Sequence, residues 1–79
     1  MRTVVLYRIE TVERGFVVYR RVGYGSMVPV TMTPGNPRSK TKVFRSPSEL
    51  DHFLKYAEAE DLKAGKRLGI RVVHRRVLA

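Results

Sequence analysis

Hydrophobic positions recur along this chain with two different periods, and the change of period divides it. From Thr3 to Glu10 the period is two: Val5, Tyr7 and Ile9 fall on one side, Val4, Leu6 and Arg8 on the other. Both sides begin apolar, which predicts a strand in a central position of a sheet. Gly15 to Val22 repeats the alternation, with Phe16, Val18, Arg20 and Val22 set against Val17, Tyr19 and Arg21. Thr11-Val-Glu-Arg-Gly15 between them is turn chemistry, so the two strands are expected to close as an antiparallel hairpin. Met27 to Met32 predicts a third strand, and Pro29, which cannot donate to a ladder, puts it at an edge or a bulge. Lys40 to Arg45 predicts a short fourth strand with Val43 and Phe44. Leu68 to Leu78 predicts the last, with Ile70 and Val72 set against Arg71, Val73 and Arg75.

The second period is helical and runs from Ser46 to Gly65. Leu50, Phe53, Leu54 and Ala57 make one apolar face. Ser46 is placed as the N-cap, Pro47 occupies the first helical position, and Glu49 three residues after Ser46 completes a capping box. Gly65 is a left-handed terminator, with Lys63 in the last turn where the helix dipole favours cations. The element order β-β-β-β-α-β predicts an α+β fold: a single antiparallel sheet of four to five strands with one helix packed on one face. A four-strand meander ends opposite to where it began. The helix is then expected to return the chain so that the last strand lies antiparallel beside the first, in the spatial order 4-3-2-1-5. The expected core is Val5, Tyr7, Ile9, Phe16, Val18, Val28, Val30, Leu50, Phe53, Leu54, Ala57, Ile70 and Val72.

Length adds that residues 1–79 make one domain. A domain of this size buries only about 60–65% of its unfolded-chain surface, enough for one sheet and one helix. With no cysteine, disulfides and thiolate metal sites are excluded. No apolar run is long enough to span a membrane, and Val4-Val5-Leu6 is too short for a signal-peptide core. The expectation is a soluble cytoplasmic protein without a cofactor.

Charge changes the picture most. The net charge is +9, and it is unevenly spread. Residues 48–63 hold five acids (Glu49, Asp51, Glu58, Glu60, Asp61) against two bases (Lys55, Lys63), while the remainder holds 14 bases against two acids. A basic body with one acidic helix points to a polyanionic or acidic partner. Anionic membrane is disfavoured, because the only amphipathic helix has an acidic polar face.

Nothing in the sequence assembles a catalytic group. His52 follows Asp51, but helix neighbours point about 100° apart and cannot act as a base and its orienter. His74 stands in the last strand without a partner in sequence reach. No spacing brings metal ligands together, and Gly23-Tyr-Gly lacks the helix of a phosphate-binding loop. Asp61-Leu-Lys63 matches the D-x-K fragment of one nuclease family, but there it lies on a strand with an acid upstream, and here it ends a helix. The chain is expected not to be an enzyme.

Binding is the stronger expectation. The bases fall into the pair Arg20 and Arg21, the loop-and-strand series Arg38, Lys40, Lys42 and Arg45, and the tail series Lys66, Arg67, Arg71, Arg75 and Arg76. Each alone is ordinary solvated surface. Grouped on a sheet face with Tyr19, or with Tyr24 between its two glycines, they suit a single-strand platform, with phosphates along the charge and bases on the rings. The candidate binding residues are therefore Arg20, Arg21, Tyr24, Arg38, Lys40, Lys42, Arg71, Arg75 and Arg76, contacting nucleic acid or a nucleoprotein complex. The loop Thr33-Pro-Gly-Asn-Pro-Arg-Ser-Lys40, basic and free of large apolar residues, could reach along a backbone. The competing expectation is an acidic protein surface, met by a bipolar molecule whose acidic side is Glu58, Glu60 and Asp61.

In layout the chain resembles small phage-encoded inhibitor proteins, including some anti-CRISPR proteins. Those are often single cysteine-free domains of this size, with a few strands and a helix opened by something like Ser46-Pro-Ser-Glu-Leu-Asp-His-Phe-Leu54. The resemblance spans the chain in outline and carries over no functional residue. Many such inhibitors are acidic mimics of DNA, whereas this chain has the opposite sign. What the resemblance implies is docking on a host protein assembly, blocking its nucleic-acid binding.

Overall fold

The computed structural model describes residues 3–33, 36, 38–69 and 72–75, the last four through their backbone. Strand β1 (Val4–Val12) and strand β2 (Gly15–Val22) form an antiparallel hairpin in which Val12 pairs with Gly15, so the chain turns on Glu13 and Arg14. Gly15 is required there on two counts. Its φ is +145°, and a Cβ would stand 2.0 Å from the Phe44 carbonyl oxygen. The register set by this turn puts Tyr7 opposite Arg20, Arg8 opposite Tyr19 and Leu6 opposite Arg21.

The short strand β3 (Val28–Pro29) pairs antiparallel with β2 and stands at the edge of the sheet, as Pro29 requires. The other side of β1 carries two short strands in tandem, β4 (Arg67–Leu68) and β5 (Val72–Arg75). β1 is therefore central, with partners on both sides. Helix α1 (Pro47–Lys63) lies on one face, and the class is α+β with a single helix on a sheet.

The strand directions correct one expectation. β4 and β5 run parallel to β1, not antiparallel, so the sheet is mixed. The cause lies in the segment 40–45, which forms no ladder. Thr41 bridges Thr31 and Phe44 bridges Phe16, each as an isolated antiparallel bridge. Phe44 exchanges both backbone hydrogen bonds with Phe16 at 2.8 Å, so it runs against β2 and hence along β1. The helix carries the chain back from there, and the last strands start in the direction of β1.

The helix ends as its sequence dictates. Ser46 is extended (φ −138°, ψ 155°) and its Oγ accepts from the Glu49 N–H at 3.2 Å. The return arm of the capping box differs: Glu49 accepts from the N–H of Arg45, at 3.4 Å. At the other end Gly65, at φ +81°, donates to the Leu62 carbonyl, and Lys66 donates to Asp61, both at 3.0 Å. These two bonds make a Schellman motif and satisfy carbonyls the helix leaves open.

Val5, Tyr7, Ile9 and Val18 from the sheet meet Leu50 and Leu54 from the helix in the core. Phe44 joins them at 1% exposure and packs its ring 4.8 Å from that of Phe53. Phe44 was not among the expected core residues, because its segment read as a peripheral strand. Val28 was expected inside and is half exposed. Ile70 and the side chain of Val72 lie outside the described residues. No helix among the described residues is long and apolar enough to cross a membrane.

Candidate functional site

The sheet has two faces, and they treat their charged groups in opposite ways. On the helix side, Leu50, Leu54 and Ala57 are followed at the same helical spacing by Asp61. That spacing turns Asp61 inward, where it is 5% exposed. Its carboxylate accepts hydrogen bonds from the Tyr7 hydroxyl and from Nη2 of Arg20, with Nε of Arg20 at 3.3 Å. Lys66 Nζ stands 3.9 Å away. The hairpin register supplies this arrangement, since Tyr7 and Arg20 are cross-strand partners beneath the last turn of α1.

Burial pushes the Asp61 carboxyl up. The hydrogen bonds from Arg20 and Tyr7 and the charges of Arg20 and Lys66 outweigh it and hold the group below its ordinary 3.8. Burial, then the bond to Asp61, pushes the Tyr7 hydroxyl up to about 12. The bond to Asp61 likewise raises the Arg20 guanidinium. Asp61 is thus committed to holding the helix end on the sheet. The acidic docking side expected from Glu58, Glu60 and Asp61 is corrected on this point, because Asp61 points into the protein.

On the face away from the helix, Arg8 and Arg21 flank Tyr19. The Arg8 guanidinium lies 5.6 Å from the centre of the Tyr19 ring, a cation–π distance, and reaches Glu10 at 3.7 Å. The Nε atoms of both arginines are buried, and among the described residues neither has a hydrogen-bond partner. An unsatisfied buried donor costs about 1–3 kcal/mol; with Nε covered, what a ligand can reach of Arg8 is the rest of its side chain, which is 39% exposed.

The expected binding residues divide between these surroundings. Arg20 and Arg21, adjacent in sequence, point to opposite faces, and Arg20 is engaged by Asp61. Tyr24 is fully exposed at the β2–β3 turn. Arg38 and Lys40 are exposed on a loop knitted to itself: the single Thr31 hydroxyl proton is shared between the carbonyls of Thr33 and Asn36, at 2.9 and 3.0 Å from Oγ1, and Ser39 Oγ accepts from the Thr33 N–H at 3.0 Å. Lys42 lies 5.4 Å over the Phe44 ring. Arg75 pairs by backbone with Thr11. Arg71 and Arg76 lie outside the described residues, as do the turn residues Pro34 and Gly35.

Sequence reasoning missed Arg8 as a binding candidate. The signal was present: once Val12 pairs with Gly15, Arg8 must stand opposite Tyr19 and diagonal to Arg21. Among the described residues no three His, Asp or Glu side chains gather to hold a metal, and His52 is exposed on the helix. Compared with protein-family models, curated proteins and solved structures, the chain matches none.

Proposed function

We propose that this chain is a non-enzymatic binding protein that engages nucleic acid, alone or within a nucleoprotein complex, through the sheet face opposite the helix. The observation that carries the reading is the grouping of Arg8 and Arg21 about Tyr19 on one face, with the Arg8 guanidinium 5.6 Å from the ring centre and its side chain 39% exposed. Phosphate oxygens are strong acceptors for guanidinium, and a base can stack on an aromatic ring or on a guanidinium plane. Arg8, Arg21 and Tyr19 form the centre of this surface. Tyr24, Arg38 and Lys40 are exposed and are the further candidates for base and phosphate contacts. The charge of +9 supplies long-range attraction to any polyanion. An open sheet face suits single strands, whose bases are free to stack, better than duplex. The compartment that fits this role is the cytoplasm.

The test is titration of the purified protein into labelled single-stranded DNA, single-stranded RNA and duplex DNA across a salt series. The expected result is tighter binding to single strands, with the logarithm of affinity falling by about 0.7 per phosphate contact for each tenfold rise in salt. Replacing Arg8 and Arg21 together by Glu should weaken binding to every sequence alike and flatten that slope. Negligible binding at low salt, or a double variant that binds as well as the parent, overturns the reading.

A further inference from the structure

The helix-side face holds a second feature that the nucleic-acid reading leaves unused. The sheet is wider than the helix that covers it, and between α1 and the β3 edge lies a groove of about 780 Å³. Its walls are Val28 and Met32 on one side and Phe53 and Tyr56 on the other, with Lys42 as the cation; Arg20 also lines it but is held by Asp61. Val28 is 50% exposed, Met32 60% and Tyr56 64%, so large apolar surface faces solvent on both walls. Scattered apolar residues on a surface need no explanation, but a contiguous set lining one groove marks a binding surface.

We propose that this groove docks an acidic segment of a partner protein, which inserts one large apolar side chain between Met32 and Tyr56 and sets a flanking carboxylate against Lys42. Three observations favour this occupant. The walls carry Tyr, Met and Arg, which are enriched where proteins meet, and their exposure marks an open cleft rather than an enclosed pocket. Lys42 is complementary to a carboxylate: its ammonium lies 5.4 Å from the centre of the Phe44 ring, and the net charge of +9 steers acidic partners inward. Strand addition is blocked, because β3 is two residues long and contains Pro29, and the Val30 N–H and carbonyl are engaged with Val18 and Lys42 at 2.8 Å. The occupant must therefore bind through side chains, in a volume within the ~300–1,000 Å³ of ordinary ligand sites. This surface is separate from the Arg8–Tyr19–Arg21 face and stands or falls independently of it.

The test is selection of a random twelve-residue peptide library on the full chain, followed by fluorescence anisotropy of the enriched peptides against variants. The expected peptides combine an aromatic or large aliphatic residue with flanking Asp or Glu. They should lose at least tenfold in affinity on Met32→Glu, Tyr56→Glu or Lys42→Glu and be unchanged on Arg21→Glu. Circular dichroism melts show whether each variant is folded; Met32 and Tyr56 are exposed enough for charge to be tolerated, so at least these two report on the groove. Three outcomes overturn the proposal: no peptide enriched above background, acidic peptides without an apolar anchor, or binding that survives the groove variants.

Discussion

Arg20 and Arg21 are neighbours in sequence and opposites in the fold. Arg20 faces the helix and finds a carboxylate fixed on the last turn of α1, with Tyr7 donating to the same group. Arg21 faces away and, like Arg8, keeps a buried Nε that no described residue accepts from. One charged cluster is therefore complete within the fold, whereas the other keeps donors that no described residue accepts from. Satisfied polar clusters fix a structure, whereas unsatisfied ones mark where a fold has left an interaction to be made. Residue type alone does not separate the two, but register does.

The largest effect should come from breaking the completed side. Asp61→Ala leaves the Arg20 charge and the Tyr7 hydroxyl without their acceptor. Removing one partner of a buried ion pair costs about 3–5 kcal/mol, and the partial exposure of Arg20 puts this case at about 3. Urea denaturation measures it. The double variant Asp61→Leu with Arg20→Met should recover most of the loss, since apolar replacement of both partners is often neutral or better. A loss under 1 kcal/mol for Asp61→Ala would show that the cluster does not hold the helix down.

A smaller effect follows from pH, with the sign fixed by the direction of each shift. Asp61 is held below its ordinary value, so its contribution is present above 3.8 and is lost as the pH falls through the lower folded value. Tyr7 is raised, so its contribution is present below its ordinary 10.0 and is lost as the pH climbs towards about 12. Tyr7→Phe removes one hydrogen bond to a charged group and should cost about 1.5 kcal/mol at neutral pH. Spectrophotometric titration should find one tyrosine in the parent ionising near 12, absent from Tyr7→Phe. Thermal melts of the parent and Asp61→Asn should converge as the pH drops below 3.8.

How much of this was legible in the sequence depends on whether the deciding contact is local. The helix ends were legible, because Ser46, Pro47 and Gly65 act within a few residues of themselves. So was the hairpin, and with it the centrality of β1. The parallel direction of β4 and β5 was not, because it is decided by Phe44 reaching back to Phe16 across 28 positions. The inward turn of Asp61 was half legible: its spacing from Leu50, Leu54 and Ala57 placed it on the apolar face, but its charge argued for solvent. Only the hairpin register, which sets Tyr7 and Arg20 side by side below it, resolves that conflict. The same register brings Arg8 beside Tyr19, a grouping that a count of basic residues along the chain cannot find.

The smallest expected effect on stability is the one that sharpens the contrast most. Arg21→Leu removes a guanidinium whose Nε has no hydrogen-bond partner among the described residues, so it leaves none of them unpaired. Surface substitutions away from special features fall within about 0.5 kcal/mol of neutral, and relief of an unmet donor offsets part of what the lost side-chain packing costs. Denaturant midpoints should therefore scarcely move, in contrast with the roughly 3 kcal/mol at Asp61. Binding should respond the other way: Arg21→Leu should weaken single-strand affinity and lower the salt slope, while Asp61→Asn, measured where it is still folded, should leave both unchanged. If Arg21→Leu instead destabilises the protein as Asp61→Ala does, the outer cluster is structural too, and the contrast between a completed cluster and an open one fails.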